Sequence, residues 1–228
     1  MEHKKIRIGA VTIGQSPRTD VAPEFESALG MDAELIQAGA LDGLSLEEVR
    51  KLAPNPGDYI LVTRMRDGTE VKIAEHHILD RMKAAIRQFE NDGLDLIVLF
   101  CTGQFPEIDS RSLILKPDVL MVQTVPGILK KGRLGAVVPS PDQIPAMTKK
   151  WEQTGLEVVT AAASPYSGKE EDFRAAGRSL AEQKADLIVL DCIGYNSAMK
   201  KIIKEESGKP VILPRTLLGR IAGEIAGG

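Results

Sequence analysis

The stretch Asp95-Leu96-Ile97-Val98-Leu99-Phe100-Cys101-Thr102-Gly103 is written a second time as Asp186-Leu187-Ile188-Val189-Leu190-Asp191-Cys192-Ile193-Gly194, with the shared pattern DLIVLxCxG. Each copy is a continuous apolar run with a β-branched centre, which suits a strand buried on both faces of a parallel sheet. The two copies contain both cysteines of the protein. In open α/β sheets ligands bind beyond the carboxyl ends of the strands, so each thiol falls where topology places function.

A second echo precedes each copy: Arg7-Ile8-Gly9-Ala10-Val11 matches Arg133-Leu134-Gly135-Ala136-Val137. Ninety-four positions separate Arg7 from Cys101 and 59 separate Arg133 from Cys192, a surplus of 35 in the first half. The fold expected is α/β, with two pseudo-symmetric halves carrying parallel sheets around a central cleft and a β-hairpin inserted in the first. The halves are drawn at 1–125, with the insertion at about 45–74, and at 126–228. The C-terminal helix is a candidate to complete the first half.

Strands are expected at 6–12, 33–38, 59–64, 69–74, 119–123, 133–138, 156–161 and 210–213, besides the two cysteine strands. Helices are expected at 19–29, 75–91, 142–153, 170–184, 196–206 and 215–226. Ser45 with Glu48 has capping-box spacing and opens a short helix, whereas Asp67-Gly68 is a hairpin turn signal. The hairpin is expected to project as a lid or a dimer contact, leaving a foldable core if it is deleted. Ser16-Pro17 and Ser140-Pro141 read as helix starts, with serine as the cap.

An apolar fraction of 43% supplies a core, and a net charge of −3 gives no basic field for nucleic acid. No apolar run approaches about 18 residues, and the charged stretch 1–5 is not a signal peptide, so the expectation is a cytoplasmic protein without a membrane span. Neither cysteine has a second Cys or His at ligand spacing, so no metal and no disulfide are expected. No G-x-G-x-x-G or lysine phosphate loop follows a strand, and no cofactor is expected.

A cysteine at a strand end, followed by a turn into a helix, receives backbone N–H groups and the positive helix end, which favours thiolate below the about 8.5 of a free thiol. Free cysteine is more commonly a small buried apolar residue. The recurrence of the only two cysteines at equivalent strand ends weighs against packing alone. Two thiols on opposite faces of a carbon acid can move a proton without a cofactor: one removes it and the other returns one from the far side. The resulting carbanion needs donors to its carboxylate or carbonyl oxygen. Candidate substrate-binding residues are Thr12, Gln15, Ser16, Arg18, Thr102, Gly103, Thr124, Ser140, Ile193 and Gly194. Asp191 interrupts a buried strand directly before Cys192, where it either accepts hydrogen bonds or raises the thiol pKa toward an acid role. Tyr166 ends a strand and is a further candidate to reach the cleft. His76-His77 reads as a solvated helix start, and Met147 and Trp151 as packing residues.

The duplicated halves, the paired strand-end cysteines, the TIGQSPR opening, the hairpin insertion and the LDCIGY stretch resemble the AroM family, within the aspartate/glutamate/hydantoin racemase superfamily. The resemblance covers nearly the whole chain. It implies two α/β halves, a cleft between them and cofactor-independent chemistry at Cys101 and Cys192 on a small carboxylate. Amino-acid racemases of this type often place a histidine just after the second cysteine, where this chain has Gly194-Tyr195-Asn196. Thiol-dependent decarboxylation or isomerisation therefore stands beside racemisation or epimerisation, and a non-enzymatic small-molecule binding protein beside both. A homodimer is expected.

Overall fold

The computed structural model describes residues 6–94 and 96–227. The charged stretch 1–5 and Asp95, which opens the first copy of the repeat, lie outside the described residues. In chain order the elements are β1 (Ile6–Thr12), α1 (Ala22–Leu29), β2 (Ala33–Gly39), α2 (Leu46–Arg50), β3 (Ile60–Arg64), β4 (Glu70–Ala74), α3 (Leu79–Asn91), β5 (Leu96–Phe100) and β6 (Leu113–Leu115). They continue as α4 (Pro117–Ile128), β7 (Arg133–Val138), α5 (Ile144–Glu152), β8 (Glu157–Ala162), α6 (Glu170–Glu182), β9 (Leu187–Leu190), α7 (Ser197–Ser207), β10 (Val211–Ile212) and α8 (Pro214–Ala226).

Two four-stranded parallel sheets result, ordered β2-β1-β5-β6 and β10-β9-β7-β8. Pairing β1 with β7, β2 with β8, β5 with β9 and β6 with β10 makes the two orders identical. The register repeats as well: Ile8 lies opposite Leu96, and Leu134 opposite Leu187, the same positions of the two motifs. The duplicated glycine has a packing cause in both sheets. A Cβ on Gly9 would lie 2.5 Å from the Phe89 ring, and one on Gly135 3.2 Å from Leu180. Phe89 and Leu180 hold the same position in α3 and α6, helices of 13 residues each. Each helix thus lays a large side chain across a central strand where that strand has none.

Contacts divide the chain into two units. One comprises the chain up to Cys101, Phe105–Pro117 and the chain from Arg215 onward; the other comprises Thr102–Gln104 and Asp118–Pro214. The chain passes from the first unit to the second between Pro117 and Asp118, after a brief excursion at Thr102–Gln104. The helices that follow the last strand of each sheet, α4 and α8, are counterparts, and each is grouped with the other half's sheet. Within the first unit α8 is fastened by Arg215, whose guanidinium donates to the Asp20 carbonyl at 2.6 Å.

Three expectations are corrected. Residues 119–123 form no strand but the middle of α4, which buries Met121 and Val125 four residues apart. The run is apolar on every side and carries no period. Pro117 and Asp118 supply a proline at the helix start and an acidic first turn, which decide for helix. The strand that pairs with β5 is instead β6, three residues long and too short to stand out. Finally, α1 begins at Ala22 with Val21 at its N-cap and no side-chain cap, so Ser16 and Pro17 belong to the preceding loop.

The capping box of Ser45 and Glu48 forms as the spacing requires. The hairpin β3–β4 also forms, as a separate antiparallel sheet. Its turn is closed by Met65 N–H to Thr69 at 2.8 Å, and Gly68 adopts φ +98° there. It does not project, however. Leu61, Met65, Val71 and Ile73 are buried in one apolar cluster with Val11, Phe89, Ile97 and Leu99, so the hairpin is part of the first unit's core. Among the described residues, no helix is long and apolar enough to cross a membrane.

Candidate functional site

In the second unit β9 ends at Leu190, and the chain turns through Asp191, Cys192, Ile193 and Gly194 before Asn196 caps α7 by accepting the Met199 N–H at 2.9 Å. Cys192 retains 7% of its surface. Its Sγ accepts the Gly194 N–H at 3.4 Å and lies 3.6 Å from the Tyr166 hydroxyl. The sulfur's backbone donor thus belongs to the turn itself. Tyr166 stands in the loop after β8, where the Ser164 hydroxyl accepts the N–H groups of Tyr166 and Ser167 at 3.0 and 3.2 Å. Gly194 makes room for the phenol: a Cβ there would lie 2.6 Å from the ring.

Asp191 has no exposed side chain, and neither has Lys150 of α5, with which it forms an ion pair at 2.6 Å. The second carboxylate contact is the Trp151 indole N–H at 2.7 Å. Lys150 also donates to the carbonyl of Thr102 at 3.1 Å. One buried ammonium therefore holds both the residue before Cys192 and the residue that follows Cys101 in the chain. Of the two readings of Asp191, hydrogen-bond acceptance is the one found, from a buried ammonium and an indole N–H. Trp151 is both a packing residue and a donor to Asp191.

In the first unit Cys101 follows β5, retains 6% of its surface and borders the apolar cluster. The chain after it runs irregularly to β6, so only Cys192 is followed by a turn into a helix. Thr102 and Gly103 are buried, as are Ile193 and Gly194.

The loop after β1 brings Thr12, Gln15, Ser16 and Arg18 together, each bonded within the unit. The Thr12 hydroxyl accepts from the Gly14 N–H at 3.3 Å and the Arg18 guanidinium at 3.1 Å. Arg18 is buried, and its other nitrogens hold the Asp20 carboxylate at 2.8 and 2.7 Å. Burial alone would raise the Asp20 carboxyl. The hydrogen bonds and charge of Arg18, with a contribution from Arg64, outweigh it and hold the group below the usual carboxylate range. Gln15 donates to the carbonyls of Leu41 and Leu44 and accepts the Arg66 N–H. The Ser16 hydroxyl and N–H both donate to Asp42. This loop is a tightly bonded scaffold around Asp42.

The remaining candidates lie elsewhere. Ser140, at the end of β7, is buried and stands at the N-cap of a 3-10 turn, Pro141–Gln143, that leads into α5; its hydroxyl makes no cap bond and meets Asp142 at 3.3 Å. Thr124 ends no strand; it lies inside α4 with its hydroxyl donating to the Leu120 carbonyl at 2.6 Å. His76 and His77 form a short 3-10 turn, with His76 3.8 Å from Asp58. A groove of about 470 Å³ opens near the carboxyl ends of β7 and β8 between Pro139, Ser164 and Asp172, but neither Cys192 nor Tyr166 lines it.

The duplicated sheets, ending in the only two cysteines, agree with a family model described as AroM protein, which matches residues 8–226. The chain belongs to the AroM family. No curated protein matches it in sequence at a significant level. Among solved structures it is similar to the aspartate racemase of Picrophilus torridus, at 13% identity and a TM-score of 0.61 over 97% of this chain and 94% of that one. It is similar to the maleate cis-trans isomerase of Nocardia farcinica at 15% identity and a TM-score of 0.61, covering 97% and 92%. It is also similar to an unliganded arylmalonate decarboxylase at 15% identity and a TM-score of 0.60, covering 98% and 94%. At these identities what this AroM protein shares with them is the fold.

Lys150 was not legible as part of this site, since a lysine on a helix reads as solvated. The available signal is Asp191: a carboxylate at the end of a buried strand calls for a buried cation or hydrogen-bond donors.

Proposed function

We propose that this AroM-family protein transfers a proton at the carbon acid of a small carboxylate, without a cofactor or metal, with Cys101 and Cys192 acting on opposite faces. The observation that carries this reading is the placement of both thiols directly beyond β5 and β9, strands that match in order and register. One thiolate takes the α-proton, and the C–H electron pair passes onto the substrate carboxylate as an enediolate. The opposing thiol then gives its proton to the other face, so the configuration inverts and the two sulfurs exchange protonation states. The reverse reaction or exchange with water resets them. The turns after the thiols, at Thr102-Gly103 and at Ile193, are the segments to supply N–H donors to the developing oxyanion, the Gly194 N–H being donated to the Cys192 sulfur. Ser140, at the end of β7, and the loop from Thr12 to Arg18, at the end of β1, are further candidates for substrate contact.

A second reading is a thiol-dependent decarboxylase or isomerase. It is favoured by the unlike construction of the two turns, since Cys192 alone is followed by a helix and faces Tyr166. The protein is proposed to work in the cytoplasm as a homodimer. The exposed Leu113 on the edge strand β6 supports a contact between copies.

Deuterium wash-in from D2O, followed by mass spectrometry across panels of amino acids, hydantoins and 2-substituted acids, tests the reaction. Proton transfer predicts α-deuteration of at least one ligand that binds. Loss of carbon dioxide, or conversion of a cis substrate to its trans isomer when unsaturated acids are added to the panel, would select the second reading. A ligand that raises the Tm with neither result would make this a binding protein.

A further inference from the structure

We infer that Tyr166 is a positioning residue for Cys192: its hydroxyl, with the Gly194 N–H, holds this sulfur as the thiolate and makes it the proton acceptor of the resting protein. This rests on the reading of Cys192 as a reacting thiol. The Gly194 N–H at 3.4 Å can only donate to the sulfur, and a thiolate accepts from the phenol at 3.6 Å at the same time. Hydrogen bonds donated to the charged form favour that form.

The contact is built into the chain from both sides. Ser164 fixes the Tyr166 loop through two N–H groups and, with its carbonyl, the Gly168 N–H at 3.0 Å. Gly194 is the residue that lets the ring approach, because any Cβ would strike it. Tyr195 joins the same two segments by donating its own hydroxyl to the Ala163 carbonyl at 2.7 Å.

The titratable and charged groups that the described contacts bring to this turn are Tyr166 from the β8 loop, Tyr195 and Asp191 from the turn itself, and Lys150 from α5. Asp191 is the one group that would oppose a thiolate. Its carboxylate is engaged by Lys150 at 2.6 Å and by the Trp151 indole at 2.7 Å, so its charge is balanced by a buried cation. This reverses the acid role that the bare sequence suggests for Cys192.

The test is a thiolate titration followed at 240 nm below pH 9 in the Cys101→Ser protein, in which Cys192 is the remaining thiol. The expected midpoint lies about one pH unit or more below the ordinary value of about 8.5. Tyr166→Phe should raise that midpoint by about half a unit to one unit without lowering the Tm. Gly194→Ala pushes the ring away from the other side and should move the midpoint in the same direction, which keeps the test decisive should Tyr166→Phe fold poorly. A midpoint at or above 8.5 overturns the inference, as does one that neither substitution moves. The titration needs no substrate. A low midpoint without exchange on any carbon acid therefore removes the proposed reaction, and with it the proton-acceptor role, but leaves the Tyr166-held thiolate standing; exchange with a high midpoint does the reverse.

Discussion

Lys150 and Asp191 illustrate how a single residue pair can be costly and still retained. Two charges removed from water lose hydration worth several kcal/mol per ion, and their attraction offsets this only with good geometry and further hydrogen bonds. Here the geometry is good: an ion pair at 2.6 Å, an indole donor and the Thr102 carbonyl complete the set. Lys150→Met alone should cost about 3–5 kcal/mol, because it strands a buried carboxylate. Adding Asp191→Leu should recover the larger share of that loss, read as the denaturation midpoint of the two variants. If the double variant were no more stable than the single one, the pair would be a stabilising element in its own right. Half of this cluster is legible in the sequence. Asp191 announces itself by interrupting a strand, but its cation comes from a helix 41 residues away and carries no mark that separates it from a solvated lysine.

At the scale of elements, the strands and helices that carry a strong period or a turn signature are legible: the cysteine strands, the hairpin and the long amphipathic helices α3 and α6. The errors have separate causes. For α4, apolar residues on every side erase the period, so the β-branched valines read as a strand. For α1, serine before proline looks like a cap, whereas Asp42 claims the Ser16 hydroxyl from another loop. The hairpin is legible as a hairpin but not as core, because what it packs against is a matter of tertiary contact. Burying a large apolar side chain contributes about 1.5–3 kcal/mol, so Leu61, Met65, Val71 and Ile73 together approach the whole stability of about 5–15 kcal/mol of a typical domain. Deleting residues 58–74 across a short glycine bridge should therefore unfold the first unit, seen as loss of a cooperative thermal transition by circular dichroism. A transition near that of the intact protein would show the hairpin to be an appendage after all.

For the whole molecule, the repeated motifs make the duplication legible: their order in the chain is the order in which equivalent strands are laid down, and the registers coincide. The exchange of α4 and α8 between units is not legible, since a helix carries no sign of which sheet it will cover. The proposed two-base chemistry would depend on the duplication rather than on any one side chain, because a strand end in each half carries one thiol. If both thiols act on one carbon, each must approach it to about 3–3.5 Å, and the proposal then predicts sulfurs roughly 7 Å apart around bound substrate. The most direct measurement is α-proton exchange on each enantiomer of a substrate found by wash-in, in the wild type and in the Cys101→Ala and Cys192→Ala proteins. Two-thiol transfer predicts that each substitution abolishes racemisation, while Cys101→Ala retains exchange on one enantiomer and Cys192→Ala on the other. Racemisation that survives in either variant, or exchange on the same enantiomer in both, would contradict it.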